Sequence, residues 1–255
     1  MKTSFTPEQL AHLRKLVKTG YLPTIEKVAK RLTAPFWWRD TEQPPGNQII
    51  GGTICFVHTG DRLLGITAAH VHTEYLRRRK ENHDISGQIG GHSFDPEARI
   101  VDISESVDLV TYEISEIQVN AARADVHHAP MWPPVVDNQD AYILGGWLWS
   151  LCGEGNSTVT HSFFNIIACL SRISDQNLSV LTYTSKSIPW GRNALPPGTK
   201  LGGMSGGPLY RINESGLSFI TLVGIIYEYQ PSYEIILARP LSLIDPKGYI
   251  SKGAA

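Results

Sequence analysis

Residues 198–210 read GTKLGGMSGGPLY, five glycines around one serine. Two readings of Ser205 compete: a glycine-rich turn entering a strand, or a nucleophile whose neighbours are bare so that a substrate carbonyl can approach the backbone. A serine hydroxyl attacks a carbonyl at neutral pH only when a neighbouring base takes its proton. The second reading therefore demands a histidine, and a carboxylate to hold that histidine's tautomer. All nine histidines (12, 58, 70, 72, 83, 92, 127, 128 and 161) precede Ser205.

That order discriminates between folds. Gly203-Met204-Ser205-Gly206-Gly207 matches the G-x-S-x-G elbow of α/β-hydrolases, where the chain runs serine, acid, histidine. With every histidine upstream, that fold is excluded. The best base is His70, at the end of the β-rich run Gly65-Ile66-Thr67-Ala68-Ala69-His70. The best acid is Asp108 in Val107-Asp108-Leu109-Val110, whose apolar flanks would make an unpartnered carboxylate costly. Asp102, in Arg99-Ile100-Val101-Asp102, is the competing acid.

ITAAH, VDLV and GMSGGP, in that order, resemble the three signatures of chymotrypsin-like (trypsin-fold) serine proteases, over roughly residues 48–245. Gly51-Gly52-Thr53 resembles the family's G-G-S segment, and Val223-Gly224-Ile225-Ile226 the strand that pairs with substrate backbone. The resemblance implies two six-stranded antiparallel β-barrels with the triad between them. It implies Ser205 as nucleophile, His70 as general base and then acid, and Asp108 as the group that orients the imidazole. The N–H groups of Gly203 and Ser205 would form the oxyanion hole. Thr199 would floor the specificity pocket, with Tyr227, Glu228 and Tyr229 on the substrate strand. Met204 stands where secreted members carry an aspartate that pairs with a newly cut N-terminus, and Val71 where a cysteine is common. Both departures point to intracellular bacterial or viral members.

The rest of the chain fits an all-β body. Short β-rich runs at 53–60, 62–69, 108–114, 141–149, 163–170, 178–184, 219–229 and 233–240 are separated by Gly, Pro, Asn, Asp and Ser. Runs without intervening helices suggest closed antiparallel barrels. A lobe boundary is expected in the proline-rich stretch 129–137, and a short helix within 241–250. Residues 1–35 read as a helical hairpin ahead of the protease domain at 36–255. Thr6-Pro7-Glu8-Gln9 is a capping box, Leu10, Leu13, Leu16 and Val17 form a stripe, and Ile25, Val28, Ala29 and Leu32 form another.

Among 255 residues 42% are hydrophobic and the net charge is -1. A sizeable core follows, and composition points to neither a nucleic-acid nor an anionic-membrane partner. The basic run Arg77–Lys80 reads as solvated surface. Three cysteines, an odd and sparse set, suggest a reducing, cytoplasmic setting. His72 reads as an exposed polar side chain, and His127-His128, in a loop-like region, lack a third ligand; no metal or cofactor is expected. The tryptophans read as core, with Trp37-Trp38 as an alternative docking surface. The expected activity is that of a serine endopeptidase acting on polypeptides. A latent protease held by a regulatory partner at the hairpin, and a pseudoprotease that binds peptides in the same cleft, are the alternatives.

Overall fold

The computed structural model describes residues 7–18, 20–44, 48–129, 131–137, 140–154, 159–181, 201–213, 219–233 and 235–251. Thr6 of the expected capping box, the side chains of Leu10, Leu13 and Val17, Trp190, and Thr199 lie outside the described residues.

Two helices open the chain, α1 (Pro7–Lys18) and α2 (Leu22–Arg31). Leu22, Ile25 and Ala29 recur on one face of α2 at helical spacing and are fully buried. With Leu16 and Leu32 they join the larger of two core clusters.

The first sheet follows from β1 (Thr33–Arg39), β2 (Ile49–His58) and β3 (Leu63–Thr67). After helix α3 (Ala69–Glu81) come β4 (Gln88–Ile89), β5 (His92–Ser93), β6 (Ile100–Ser104) and β7 (Leu109–Glu113). A short helix, α4 (Glu116–Ala121), leads to β8 (His127–His128). The order is β5-β4-β1-β2-β3-β7-β6, with β8 parallel to β2. Its core is aromatic: Phe36 meets Trp38, Tyr75, Phe94 and Tyr112 at centroid distances of 5.9 to 6.3 Å.

The second sheet comprises β9 (Ala141–Glu154), β10 (Val159–Ile173), β11 (Leu178–Leu181), β12 (Pro208–Ile212), β13 (Ile220–Gln230) and β14 (Ile235–Pro240). These six strands close into an antiparallel barrel in the order β10-β11-β14-β13-β12-β9. The architecture is therefore mostly β, one closed barrel plus a second sheet, with the helical hairpin in front. Residues 129–137 lie between the last strand of the first sheet and the first strand of the barrel.

Several local expectations change. No helix fills 241–250: a 3₁₀ turn at Leu241–Leu243 is followed by a turn in which the Asp245 carboxylate accepts from the N–H groups of Lys247 and Tyr249 at 2.9 and 2.8 Å. Pro246 disfavours helical backbone at Asp245. The run Arg77–Lys80 lies on α3, and Arg78 is only partly solvated, because it donates to the buried Asp40 at 2.9 Å. His72 is buried rather than exposed, within 2.9 Å of the Tyr112 hydroxyl. His127 lies in β8 rather than a loop, is buried, and accepts the Leu222 N–H at 3.3 Å. Trp37 and Trp38 are buried core residues, not an exposed docking surface.

Candidate active site

The N-terminus of α3 sets the geometry. Its first N–H groups need acceptors, and the N-cap, Ala68, has no side chain to offer one. Asp108 supplies it from across the sheet. Its carboxylate accepts the His70 N–H at 2.8 Å through Oδ1 and lies 2.8 Å from His70 Nδ1 through Oδ2. An anion at a helix N-terminus is favoured electrostatically as well. Asp108 reaches this position at the end of a turn closed by its own N–H to the Glu105 carbonyl at 3.2 Å. Its φ is +57°, a left-handed conformation that aspartate tolerates better than most residues.

Two contacts to one carboxylate fix both the ring and the tautomer. With Nδ1–H donating to Asp108, His70 Nε2 is left as the acceptor. The histidine side chain is 49% exposed and the aspartate 20%, so the ring faces the solvent side of the pair. Asp102, the competing acid, is occupied elsewhere. It accepts the N–H of Ile103 and of Ile250, each at 2.8 Å, and so closes the C-terminal turn onto β6.

The Ser205 turn is clamped between the two lobes. Thr53 of β2 donates its N–H to the Ser205 carbonyl and its hydroxyl to the Gly203 carbonyl, both at 2.8 Å. The same hydroxyl accepts the Trp147 N–H at 2.9 Å. A Cβ at Gly52 would lie 2.7 Å from the Ser205 carbonyl oxygen and 2.8 Å from Val71, so the serine turn and the start of α3 crowd the same glycine. The glycines of the turn are explained by these approaches. At Gly206, φ +81°, a Cβ would strike the Thr67 hydroxyl and the Thr53 carbonyl of the first sheet. At Gly207 it would strike the Gly145 carbonyl of the barrel. Gly203, φ +98°, backs onto the Trp147 carbonyl and the Trp149 ring. Met204 is buried in the barrel core.

Hydrogen bonding along the turn alternates. Met204, Gly206 and Gly207 donate to Leu201, Ile226 and Met204 carbonyls at 3.1, 2.7 and 2.7 Å. Among the described residues, the N–H groups of Gly203 and Ser205 donate to none. Free amides at those two positions, beside a hydroxyl, are what an oxyanion-binding site requires. Among the described residues no hydrogen bond joins the Ser205 hydroxyl to the His70 ring.

Of the expected substrate-strand residues, Tyr227 sits at a β-bulge, where the pairing with β14 shifts between Ile226 and Glu228. Bulges re-aim side chains beside functional sites. The Tyr227 hydroxyl donates to Asn177 Oδ1 at 2.8 Å, and the Arg239 guanidinium lies 4.0 Å from its ring centroid. Burial raises its pKa, Arg239 opposes the rise, and the charges of Glu228 and Asp108 add to it. Glu228 is exposed and accepts from the Gln230 amide at 2.9 Å. Tyr229 packs half-buried against the barrel core.

Thr53, which ties the Ser205 turn to the first sheet, was under-weighted by sequence reasoning. It was legible only as the third residue of a G-G-T segment. Among the described residues no group of three or more histidine, cysteine or acidic side chains could hold a metal ion. No helix among them is long and apolar enough to cross a membrane.

No family model matches the chain, and no curated protein does. Among solved structures, the chain is similar to one from a study of how aromatic interactions drive the coupled folding and binding of the intrinsically disordered Sesbania mosaic virus VPg protein. The TM-score is 0.46 at 13% identity, over 82% of this chain and 92% of that one.

Proposed function

We propose that the chain is a serine endopeptidase of the chymotrypsin-like kind. In this reading Ser205 attacks the scissile carbonyl as His70 Nε2 takes its proton, and Asp108 stabilises the imidazolium that forms. The Gly203 and Ser205 N–H groups receive the developing oxyanion. His70 then protonates the leaving amine, and water hydrolyses the acyl-enzyme. The observation that carries this is the doubly bonded His70–Asp108 pair, with contacts of 2.8 Å to both the backbone N–H and Nδ1. A carboxylate used only to cap α3 has no need to reach the ring as well.

The lineage proposed is the intracellular bacterial or viral one, and the setting a reducing cytoplasm. Cys55, Cys152 and Cys169 are all free thiols, and buried Met204 offers no charge to a cleaved N-terminus. The open hydroxyl-to-ring contact favours a second reading, in which the cleft binds peptides without turnover or waits for a partner. Catalytic hydrogen bonds are often long before substrate arrives, so the first reading is preferred. Terminal-amine profiling of a peptide library separates them. Wild type generates new N-termini that Ser205→Ala does not; identical profiles would remove the protease reading.

A further inference from the structure

A second feature lies apart from the His70–Asp108 pair and does not depend on the hydrolase reading. Between α2, β1, the β4–β5 hairpin and the end of α4 runs a cleft of about 1090 Å³. Five exposed cations line it: Lys27, Lys30, Arg31, Arg39 and Arg123; among the described residues no acidic side chain does. Arg31 pairs with Asp125 at 2.8 Å. Among the described residues, the other four pair with no carboxylate. In a chain of net charge -1, this clustering is local. It escapes composition because its members come from positions 27 to 123.

Arg123 strengthens the case. It follows α4 in a left-handed conformation, φ +57°, at a position where glycine is the cheap choice. A guanidinium held there against backbone preference points to a use for its charge. The Lys30 ammonium lies 5.3 Å from the Trp147 ring centroid, and the Trp37 and His161 rings lie 5.4 Å apart.

We propose that this cleft binds single-stranded nucleic acid through its phosphodiester backbone. A row of cations in a concave channel, four of them without a carboxylate partner among the described residues, follows a flexible polyanion. An acidic peptide is less well served, because protein partners rely on buried apolar anchors. Trp37 and Trp147, the large rings here, are already 8% and 9% exposed.

The test is fluorescence anisotropy with a labelled oligouridylate, titrated across a salt series and repeated with polyglutamate of matched length. Five cations predict a log–log salt slope of about −3.5. A Lys27→Ala, Arg39→Ala, Arg123→Gly triple variant is expected to bind at least about tenfold more weakly, with a slope near −1.4. Arg123→Gly alone removes backbone strain, so its Tm should hold or rise while the slope becomes shallower by about 0.7. Ser205→Ala should bind as wild type does. Absence of binding at low salt, equal binding by the triple variant, or tighter binding of polyglutamate than of oligouridylate would each overturn the proposal.

Discussion

Asp108→Asn is the most informative single change. Asparagine tolerates the left-handed backbone that Asp108 adopts, and its Oδ1 can still accept the His70 N–H. Its amide NH₂, however, would face Nδ1 and force the ring proton onto Nε2, the atom that must accept the serine proton. The lost charge lies 2.8 Å from Nδ1, and the pair is partly exposed. Coulomb attraction to an imidazolium at that distance is about 6 kcal/mol at an effective dielectric of 20 and about 1.5 in bulk water. An intermediate value of about 3–5 kcal/mol corresponds to a loss of about 10²–10⁴ in rate. The assay is the second-order rate of phosphonylation by a fluorophosphonate, because the natural substrate is not needed. Asp102→Asn is the control. It leaves one of two backbone N–H groups facing an amide, so it should cost about 1–3 kcal/mol of stability with labelling unchanged. If Asp108→Asn labels within threefold of wild type while Ser205→Ala does not label, the pair takes no part in activating the serine.

Gly206→Ala should lose folded protein outright, at a cost of about 4 kcal/mol or more, since its methyl strikes both Thr67 and Thr53; a cooperative unfolding transition near that of wild type would contradict the packing described here. Stability should fall on acidification. Burial pulls His72 and His127 down to about 4, His128 adding to the effect at His127, while the unfolded chain protonates near 6.5. Their contribution is therefore intact above about pH 6.5 and is lost as pH falls to about 4, with a ceiling of about 3 kcal/mol each. Urea midpoints that do not move between pH 7 and 4.5 would refute it. Deleting residues 1–32 strips Leu16, Leu22, Ile25, Ala29 and Leu32 from the core. At about 1.5–3 kcal/mol per large side chain this rivals the whole stability of a domain, so insoluble protein is expected, and a soluble, cooperatively folding fragment would be the opposing result.

What the sequence disclosed depended on how local the signal was. Chain order excluded one fold, the glycines around Ser205 and the β-rich run ending at His70 singled out those two residues as candidates, and the strand runs foreshadowed the barrel. Helix α3 was missed because its evidence is ionic rather than apolar: Glu74 pairs with Arg77 and Arg78, and Arg77 with Glu81, at helical spacing, while its buried stripe includes a histidine. Burial of His72 rests on Tyr112, forty residues away, a contact no window of sequence contains. Strand β1 was obscured by Pro35, which gives no ladder donor yet whose carbonyl accepts the Gly90 N–H at 2.8 Å. Asp108 could be separated from Asp102 only once the partners of each were seen. The basic cleft was invisible to any sum over the chain.

The most direct measurement is intact-mass analysis with peptide mapping after treatment with a fluorophosphonate. The account predicts a single adduct on Ser205 that His70→Ala abolishes in a protein of unchanged circular dichroism. An adduct on another residue, or one on Ser205 formed equally fast without the histidine, would contradict it.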